Sequence, residues 1–314
     1  MSAGGGTRAV VAALVSNLAI AVAKLVGFLV TGSSSMLAES VHSVADSGNQ
    51  GLLLLGARRA QKPADEQHPF GYGRERYFWA FVVALVLFVL GGVFSLYEGV
   101  HKLGEASHGQ GLDRPGVAIA ILAFAIVAEG VSFRTAIRES TPLKGAQSWW
   151  SFLRTAKTPE LPVVLLEDFG ALIGLALALV GVVLTALTGD LVWDALGSLG
   201  IGLLLLVIAA VLVVEMRGLL LGESATPEHV AAIRAALVDG AAVTSVIHLR
   251  TSHLGPDELL VGAKIGMAPG LTLPEVAAAI DAAEARVRAV VSIARPLYLE
   301  PDLRREPDLR RDGG

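Results

Sequence analysis

Six long apolar stretches constrain the fold of this chain more than any other feature of its sequence. A helix needs about 20 apolar residues to cross the hydrocarbon core of a bilayer. The six stretches run from Val10 to Val30, Met36 to Leu55, Tyr77 to Val100, Val117 to Phe133, Pro162 to Leu187 and Leu191 to Leu220. They predict an α-helical polytopic membrane protein with six transmembrane helices, and the small share of charged residues, 17%, agrees with that class.

The second stretch differs from the others because it contains several ionisable residues. An alternative interpretation makes it an amphipathic helix on the membrane surface, which leaves five spans. Surface helices of that kind usually carry Lys or Arg on their polar face. The stretch from Met36 to Leu55 has neither residue, so six spans are favoured.

Lys and Arg are concentrated in two of the predicted loops. Cytoplasmic loops of membrane proteins carry an excess of these residues. The basic residues between the second and third stretches are Arg58, Arg59, Lys62, Arg74 and Arg76, and those between the fourth and fifth are Arg134, Arg138, Lys144, Arg154 and Lys157. This distribution predicts a multi-pass protein of the inner (plasma) membrane with both termini in the cytoplasm.

The chain beyond Gly222 has the pattern of a small water-soluble domain. The predicted elements are a helix starting at Thr226 and Pro227, strands at Thr244–Leu254 and Glu258–Met267, a helix after the capping box of Thr272 and Glu275, and a strand near Ser292–Leu299. This order predicts an α/β domain with helices on one face of a sheet.

The predicted organisation has three parts. They are a six-helix transmembrane domain at 1–222, a cytoplasmic α/β domain at 223–302 and a charged tail at 303–314. A domain of about 80 residues has a thin core, so we expect it to dimerise. The tail repeats the sequence PDLRR, and its high charge predicts disorder.

The second stretch places its polar residues in a helical pattern. Glu39, His42, Asp46 and Asn49 follow spacings of three, four and three residues, which puts them on one face of a helix. An ionisable residue inside a bilayer is costly, so its default interpretation is functional. Since His42 and Asp46 lie one turn apart, an imidazole nitrogen and a carboxylate oxygen can bind one cation, as they do in zinc sites.

The fifth stretch supplies two further acids, Glu167 and Asp168. Adjacent residues point about 100° apart on a helix. Only one of the two can therefore directly face the same point as His42 and Asp46. A structural interpretation is also open, in which these acids pair with Lys24 or make polar contacts between helices.

At these residues the chain resembles the cation diffusion facilitator family, and within it the zinc transporter nine-like branch. The resemblance extends from about Arg8 to Pro301, and its motifs are SMLAESVHSVADSGNQ, PADEQHPFGYGRER, LLEDFGALIG and DALGSLGIG. It implies six membrane helices, a ferredoxin-like cytoplasmic domain, a homodimer, and export of zinc or a similar metal in exchange for protons.

The resemblance also implies a transport site with two ligands from the second helix and two from the fifth. The matching residues are His42 and Asp46 in the second helix and Asp168 in the fifth. The remaining position, usually His or Asp in the family, holds Val164. Either Glu167 takes its place or water completes the metal shell.

The loop between the second and third helices often carries another metal site in this family. Asp65 and His68 match that site, but its third position is Tyr72. The loop is therefore either a weakened metal site or a structural and proton-access loop.

A third family site, at the dimer interface of the cytoplasmic domain, matches Ile247, Lys264 and Glu300. Because an ammonium group cannot bind a metal, we expect this site to be lost. His248 and His253 lie nearby, and we expect both to be exposed residues of a strand.

The residue types also narrow the metal. A His ligand argues against magnesium and calcium, and the absence of Cys argues against Cu(I). Zinc is favoured as the transported substrate with protons as the counter-ion, and manganese, iron and cobalt are alternatives.

The sequence lacks the motifs that are typical of several other function classes. The sequence contains no HExxH motif and no nucleophile motif, which argues against an enzyme. A net charge of -4 gives no reason to expect binding to nucleic acid. No soluble organic substrate is expected. A metal-gated channel is compatible with the same residues, whereas a purely structural protein would tolerate joint replacement of His42 and Asp46.

Overall fold

A computed structural model describes residues 18–106, 114–238 and 240–303. The helices in these ranges are α1 (Leu18–Thr31), α2 (Ser34–Arg59), α3 (Glu75–Val86), α4 (Phe94–Ala106), α5 (Pro115–Lys144), α6 (Trp149–Thr155), α7 (Glu160–Thr188), α8 (Val192–Leu221), α9 (Pro227–Val238) and α10 (Leu273–Val290). The strands are β1 (Val243–Gly255), β2 (Glu258–Met267) and β3 (Ala294–Asp302). The start of the first predicted span and nearly all of the predicted tail lie outside the described residues.

Among the described residues, four helical segments are long and apolar enough to cross a membrane. They are Glu75–Gly104, Pro115–Lys144, Glu160–Thr188 and Val192–Leu221, and the first of them passes from α3 to α4 through a π-helical stretch, Leu87–Val93. A shorter apolar helix is α1. The predicted fold class is confirmed as mainly helical with a small C-terminal α/β part, while the number of six spans stays a prediction.

Helix α2 is long enough to span a bilayer but is less apolar than these four. Its 26 residues give a length of about 39 Å at 1.5 Å per residue. The polar residues of its central turns are the reason for its lower hydropathy, because the same turns carry the candidate metal ligands.

The described residues form two compact units. One contains the chain up to Arg58 together with Tyr77–Arg217, and the other contains Arg59–Arg76 and the chain from Gly218. The loop between α2 and α3 therefore belongs with the C-terminal unit. The domain boundaries predicted from the sequence stay a prediction.

Small residues allow the helices of the first unit to pack closely. A Cβ atom added to Gly202 of α8 would lie 2.8 Å from the backbone nitrogen of Leu96 in α4 and 2.9 Å from the carbonyl oxygen of Gly92. Backbone atoms cannot move aside as a flexible side chain can, so only glycine fits at this position. This contact gives the last glycine of the DALGSLGIG motif a packing role.

The C-terminal unit contains a three-stranded sheet in the order β1-β2-β3. Strand β2 is antiparallel to β1 and parallel to β3. Its alternate residues Leu259, Val261, Ala263 and Ile265 are buried because successive side chains of a strand point to opposite faces. Helices α9 and α10 contribute the rest of this core, and the predicted capping box of Thr272 and Glu275 is present at the start of α10.

The expectation for His253 was wrong, whereas His248 is exposed as predicted. His253 is 1% exposed, and its backbone nitrogen donates to the carbonyl oxygen of Glu223. The register of β1 against β2 shifts between His253 and Gly255. Such a bulge interrupts the alternation of inward and outward side chains along a strand. The burial of His253 therefore cannot be predicted from that alternation.

Candidate metal site

The polar residues of α2 lie on one buried face of the helix. Glu39, His42, Asp46 and Asn49 are all nearly inaccessible to solvent. The Nδ1 atom of His42 is 3.5 Å from the Oδ1 atom of Asp46. One turn of α2 therefore brings a nitrogen and an oxygen donor close together, as the spacing in the sequence predicts.

Helix α7 adds Glu167 to this face. The side-chain nitrogen of Asn49 donates a hydrogen bond of 2.7 Å to Oε1 of Glu167. Glu167 also interacts electrostatically with the carboxyl group of Asp46. Of the two adjacent acids of α7, Glu167 is thus the one in direct contact with α2.

Asp168 is bonded to another helix. The hydroxyl group of Ser132 in α5 donates to its Oδ2 atom at 3.0 Å, and α5 packs along α7. The structure therefore brings Glu167 to the face of α2 that carries His42, Asp46 and Asn49, while Asp168 lies at the contact of α7 with α5.

Several nitrogen and oxygen atoms of this buried face, which could bind a metal, have no hydrogen-bond partner among the described residues. They are both ring nitrogens of His42, Oδ1 of Asp46 and the side-chain oxygen of Asn49. An unsatisfied buried polar group costs about 1–3 kcal/mol, so such groups are rare in native structures unless they serve a purpose. Metal ligation is one such purpose, because His nitrogens and carboxylate oxygens are the donors that zinc takes.

These donors do not form a complete metal shell in this conformation. Within the described ranges, no group of three or more His, Cys, Asp or Glu side chains has an arrangement that could hold a metal ion. Val164 contributes no donor, because its side chain is a hydrocarbon, and it packs against a small apolar cluster containing Phe152 and Leu165. A closed shell would therefore need movement of Glu167 or Asp168, or water.

A buried ion pair borders this face. The ammonium group of Lys24 in α1 is 3.1 Å from Oε2 of Glu39 and donates to the hydroxyl of Ser43 at 2.7 Å. Lys24 and Glu39 are both fully buried. Lys24 thus pairs with an acid of α2 and with neither acid of α7, which argues against the structural interpretation of Glu167 and Asp168 in the form that uses Lys24.

Asp194 of α8 holds the beginning of α2. Its Oδ1 atom accepts hydrogen bonds from the hydroxyl of Ser33 at 2.7 Å and the backbone nitrogen of Ser35 at 3.4 Å. A carboxylate is favourable at a helix N-terminus because the first backbone N–H groups have no partner within the helix. Sequence analysis missed Ser33 and Ser35, since a serine before an apolar helix does not show which distant acid it will contact.

Asp65, in the loop between α2 and α3, is bonded to other residues of the same loop. Asp65 accepts hydrogen bonds from the Tyr72 hydroxyl at 2.6 Å and from the backbone nitrogens of His68 at 2.7 Å and Gln67 at 3.1 Å. The bond from Tyr72 is the main reason why the pKa of Asp65 is lowered from its ordinary value. The Tyr72 side chain, at the family's third ligand position, is thus a structural partner of Asp65.

Lys264 of the C-terminal unit also forms ion pairs. Its ammonium group is 2.9 Å from Asp302 and 3.1 Å from Glu300. The hydrogen bonds that Lys264 donates, first to Asp302 and then to Glu300, raise its pKa. A protonated lysine cannot bind a metal, and the loss of the interface site stays a prediction.

The chain is similar to known proteins. A family model described as the cation efflux transmembrane domain matches residues 10–221. The chain is 34% identical over 235 residues to the proton-coupled zinc antiporter SLC30A9, mitochondrial, of Mus musculus, which covers 74% of this chain and 41% of that protein. It is 29% identical over 261 residues to metal tolerance protein C4 of Arabidopsis thaliana, covering 82% of this chain and 56% of the relative.

A bacterial relative is similar along more of its own length. Magnetosome protein MamB of Magnetospirillum gryphiswaldense is 24% identical over 276 residues, which is 86% of this chain and 85% of MamB. By contrast, the chain spans only about two fifths of the SLC30A9 proteins that it matches.

Proposed function

Since this chain belongs to the cation efflux family, we propose that it is a divalent transition-metal efflux transporter, and specifically a zinc/proton antiporter. Family membership confirms the resemblance that the sequence motifs indicated. The chain is a multi-pass membrane protein. The proposal assigns it transport and no enzymatic reaction, with zinc as the transported substrate.

The observation that carries the proposal is the row of unpartnered donors on α2. His42 and Asp46 are buried, lie 3.5 Å apart and keep three donor atoms without a hydrogen bond among the described residues. Glu167 of α7 is held against the same face of α2 by its hydrogen bond from Asn49. We therefore place the transported metal between α2 and α7, with His42, Asp46 and Glu167 as ligands and Asp168 as the fourth.

Asp168 is included because it lies next to Glu167 and because the resemblance places a ligand there. Its hydrogen bond from Ser132 occupies only Oδ2, which leaves the other oxygen for a cation. Since Val164 has no donor atom, Glu167 takes the position that the family usually fills with His or Asp.

Proton coupling follows from the contact between two acids. When two carboxyl groups such as those of Asp46 and Glu167 share one buried site, like-charge repulsion favours a proton on one of them. Metal ligands must be deprotonated, so metal and proton compete for the same oxygens. Metal entering from one side releases the proton, and protons entering from the other side release the metal.

The ligand types favour zinc among the divalent metals. One imidazole with carboxylates suits zinc, and the same set also accepts cobalt, iron or manganese. The relatives named as zinc antiporters are consistent with zinc. The loop pair of Asp65 and His68 is at most a weak second metal site, because Asp65 is already engaged by Tyr72.

Assembly and location complete the proposal. We infer a homodimer in the inner (plasma) membrane with both termini in the cytoplasm, which rests on the family resemblance and on the distribution of Lys and Arg. The proposed organisation has a transmembrane domain at 1–222, a cytoplasmic dimerisation domain at 223–302 and a charged tail. The SLC30A9 relatives, by contrast, are named as mitochondrial proteins.

Transport into proteoliposomes tests this function. Purified protein is reconstituted with dyes for zinc and for pH inside the vesicles, and Zn²⁺, Co²⁺, Mn²⁺ and Fe²⁺ are added in turn. We expect saturable zinc uptake with protons moving in the opposite direction. Flux that does not saturate and moves no protons would indicate a channel instead.

Two variants locate the site in the same assay. Asp46→Asn keeps the size of the side chain but removes its charge, and we expect it to abolish zinc uptake. Asp190→Asn is the matched control, because Asp190 is exposed in the loop between α7 and α8. Equal activity of both variants would remove the basis for a site between α2 and α7.

A further inference from the structure

The ion pair of Lys24 and Glu39 is not used by the transport site described above. Both side chains are fully buried in the first compact unit, which contains the apolar helices. Burying two charges costs several kcal/mol per ion, which their attraction offsets only when the geometry is good. Such a pair is weak evidence for stability, so its presence beside the candidate ligands calls for another explanation.

Glu39 lies on the ligand face of α2, one turn from His42. Residues three apart on a helix have Cβ atoms about 5–6 Å from each other. One cation could therefore contact both the imidazole of His42 and the carboxylate of Glu39. One oxygen of Glu39, Oε1, has no hydrogen-bond partner in the described part of the chain.

Glu39 also faces the helix that supplies the other ligands. A Cβ atom added to Gly174 of α7 would lie 2.6 Å from Oε1 of Glu39. Glu39 precedes Asp46 by seven residues, and Gly174 follows Glu167 by seven, so the two contacts lie about 10 Å apart along antiparallel helices. Glu39 is thus a fourth carboxylate at the same helix pair, two turns away from Asp46.

The Lys24 ammonium group prevents this donor from being used. It binds Oε2 of Glu39 and the hydroxyl of Ser43, the residue after His42. Lys24 is therefore attached to α2 on both sides of His42. Its positive charge also repels any divalent cation that moves from His42 toward Glu39.

We propose that Lys24 is a specificity-determining residue, which holds Glu39 out of the metal shell and so keeps the site selective for zinc. This inference rests on the proposed function. A shell that gained Glu39 would be richer in carboxylate oxygen, and carboxylate-rich shells suit harder ions such as Mn²⁺. Lys24 itself touches no metal, so it acts through Glu39.

The test compares the transport of two metals by the same protein. The ratio of kcat/KM for Mn²⁺ to that for Zn²⁺ is measured in proteoliposomes for wild type and Lys24→Met. We expect the ratio to rise by about tenfold or more, since partners of metal ligands change metal affinity by roughly 10–100-fold. A purely structural role would lower both rates and leave the ratio unchanged.

A second variant shows whether the change passes through Glu39. In Lys24→Met combined with Glu39→Gln, the freed side chain is a neutral amide, and we expect the ratio to return to within about twofold of wild type. A ratio that stays high in the double variant would overturn the inference. So would a wild-type ratio in Lys24→Met alone.

The conservative variants keep the test decisive if Lys24→Met does not reach the membrane. Lys24→Gln removes the charge that pairs with Glu39 and takes its place, with the same two outcomes. Lys24→Arg keeps the positive charge and is expected to keep the wild-type ratio. If wild type moves no divalent metal at all, the proposed function fails, whereas zinc transport with an unchanged ratio in the variants overturns this inference alone.

Discussion

Two His–Asp pairs in this protein have nearly the same geometry and opposite surroundings. His42 and Asp46 lie 3.5 Å apart with side chains 1% and 9% exposed. His68 and Asp65 lie 3.4 Å apart with side chains 50% and 49% exposed. The distance between the two groups therefore does not distinguish a candidate transport site from a loop contact.

The state of the hydrogen bonds distinguishes the two pairs. Asp65 accepts three hydrogen bonds from its own loop, whereas both ring nitrogens of His42 and one oxygen of Asp46 have none among the described residues. An exposed polar group can form hydrogen bonds with water, but a buried polar group without a hydrogen bond costs free energy. The buried pair therefore has the stronger reason to bind a cation.

Replacing the two histidines is the most direct way to break this comparison. We expect His42→Ala to lower kcat/KM for zinc by more than about tenfold, because a buried ligand is lost. His68→Ala is the matched control, and we expect a change of less than about twofold. The measurement is zinc uptake into proteoliposomes, and equal losses would show that burial does not separate the pairs.

Close packing around the membrane unit is expected to matter next. Gly202→Ala places a methyl group 2.8 Å from a backbone nitrogen, so it should destabilise the protein by about 1–3 kcal/mol. Gly130→Ala in α5 meets nothing within 4 Å and should stay within about 0.5 kcal/mol of wild type. Thermal unfolding in detergent compares the two, and an unchanged midpoint for Gly202→Ala would contradict the packing described for α4 and α8.

The smallest effect is expected for the loop pair. The Tyr72 hydroxyl is the main cause of the lowered pKa of Asp65. A carboxylate whose folded pKa is lowered adds stability that is present above its unfolded pKa, ordinarily 3.8, and is lost as the pH falls through the folded pKa. Tyr72→Phe should therefore move the acid opening of the loop to higher pH, while leaving zinc transport unchanged.

Limited proteolysis of the loop between pH 2 and pH 6 (roughly the range of carboxylate titration) follows this opening. Wild type should become susceptible only at the lower pH. Loss of zinc transport in Tyr72→Phe would mean that the loop pair belongs to the transport machinery, and the contrast with His42 and Asp46 would then fail.

The sequence predicted the elements of this protein better than their contacts. Hydropathy located the helices, and capping and alternation located α10 and β2, because these signals act over a few neighbouring residues. The exposure predicted for His253 was wrong, since a bulge in β1 alters the alternation that the prediction used. The number of six spans stays a prediction. One reason is that the polar turns of α2 lower its hydropathy, which is the property that identifies a membrane span.

The candidate site divides in the same way. The sequence by itself determined which donors share one face of α2, because the period of the helix relates residues within two turns. Only the tertiary structure decided that Glu167 and not Asp168 contacts α2, that Lys24 pairs with Glu39, and that Val164 lies in an apolar cluster. Asn49 and Glu167 lie 118 residues apart in the chain, and such contacts depend on how whole helices pack, which no local pattern contains.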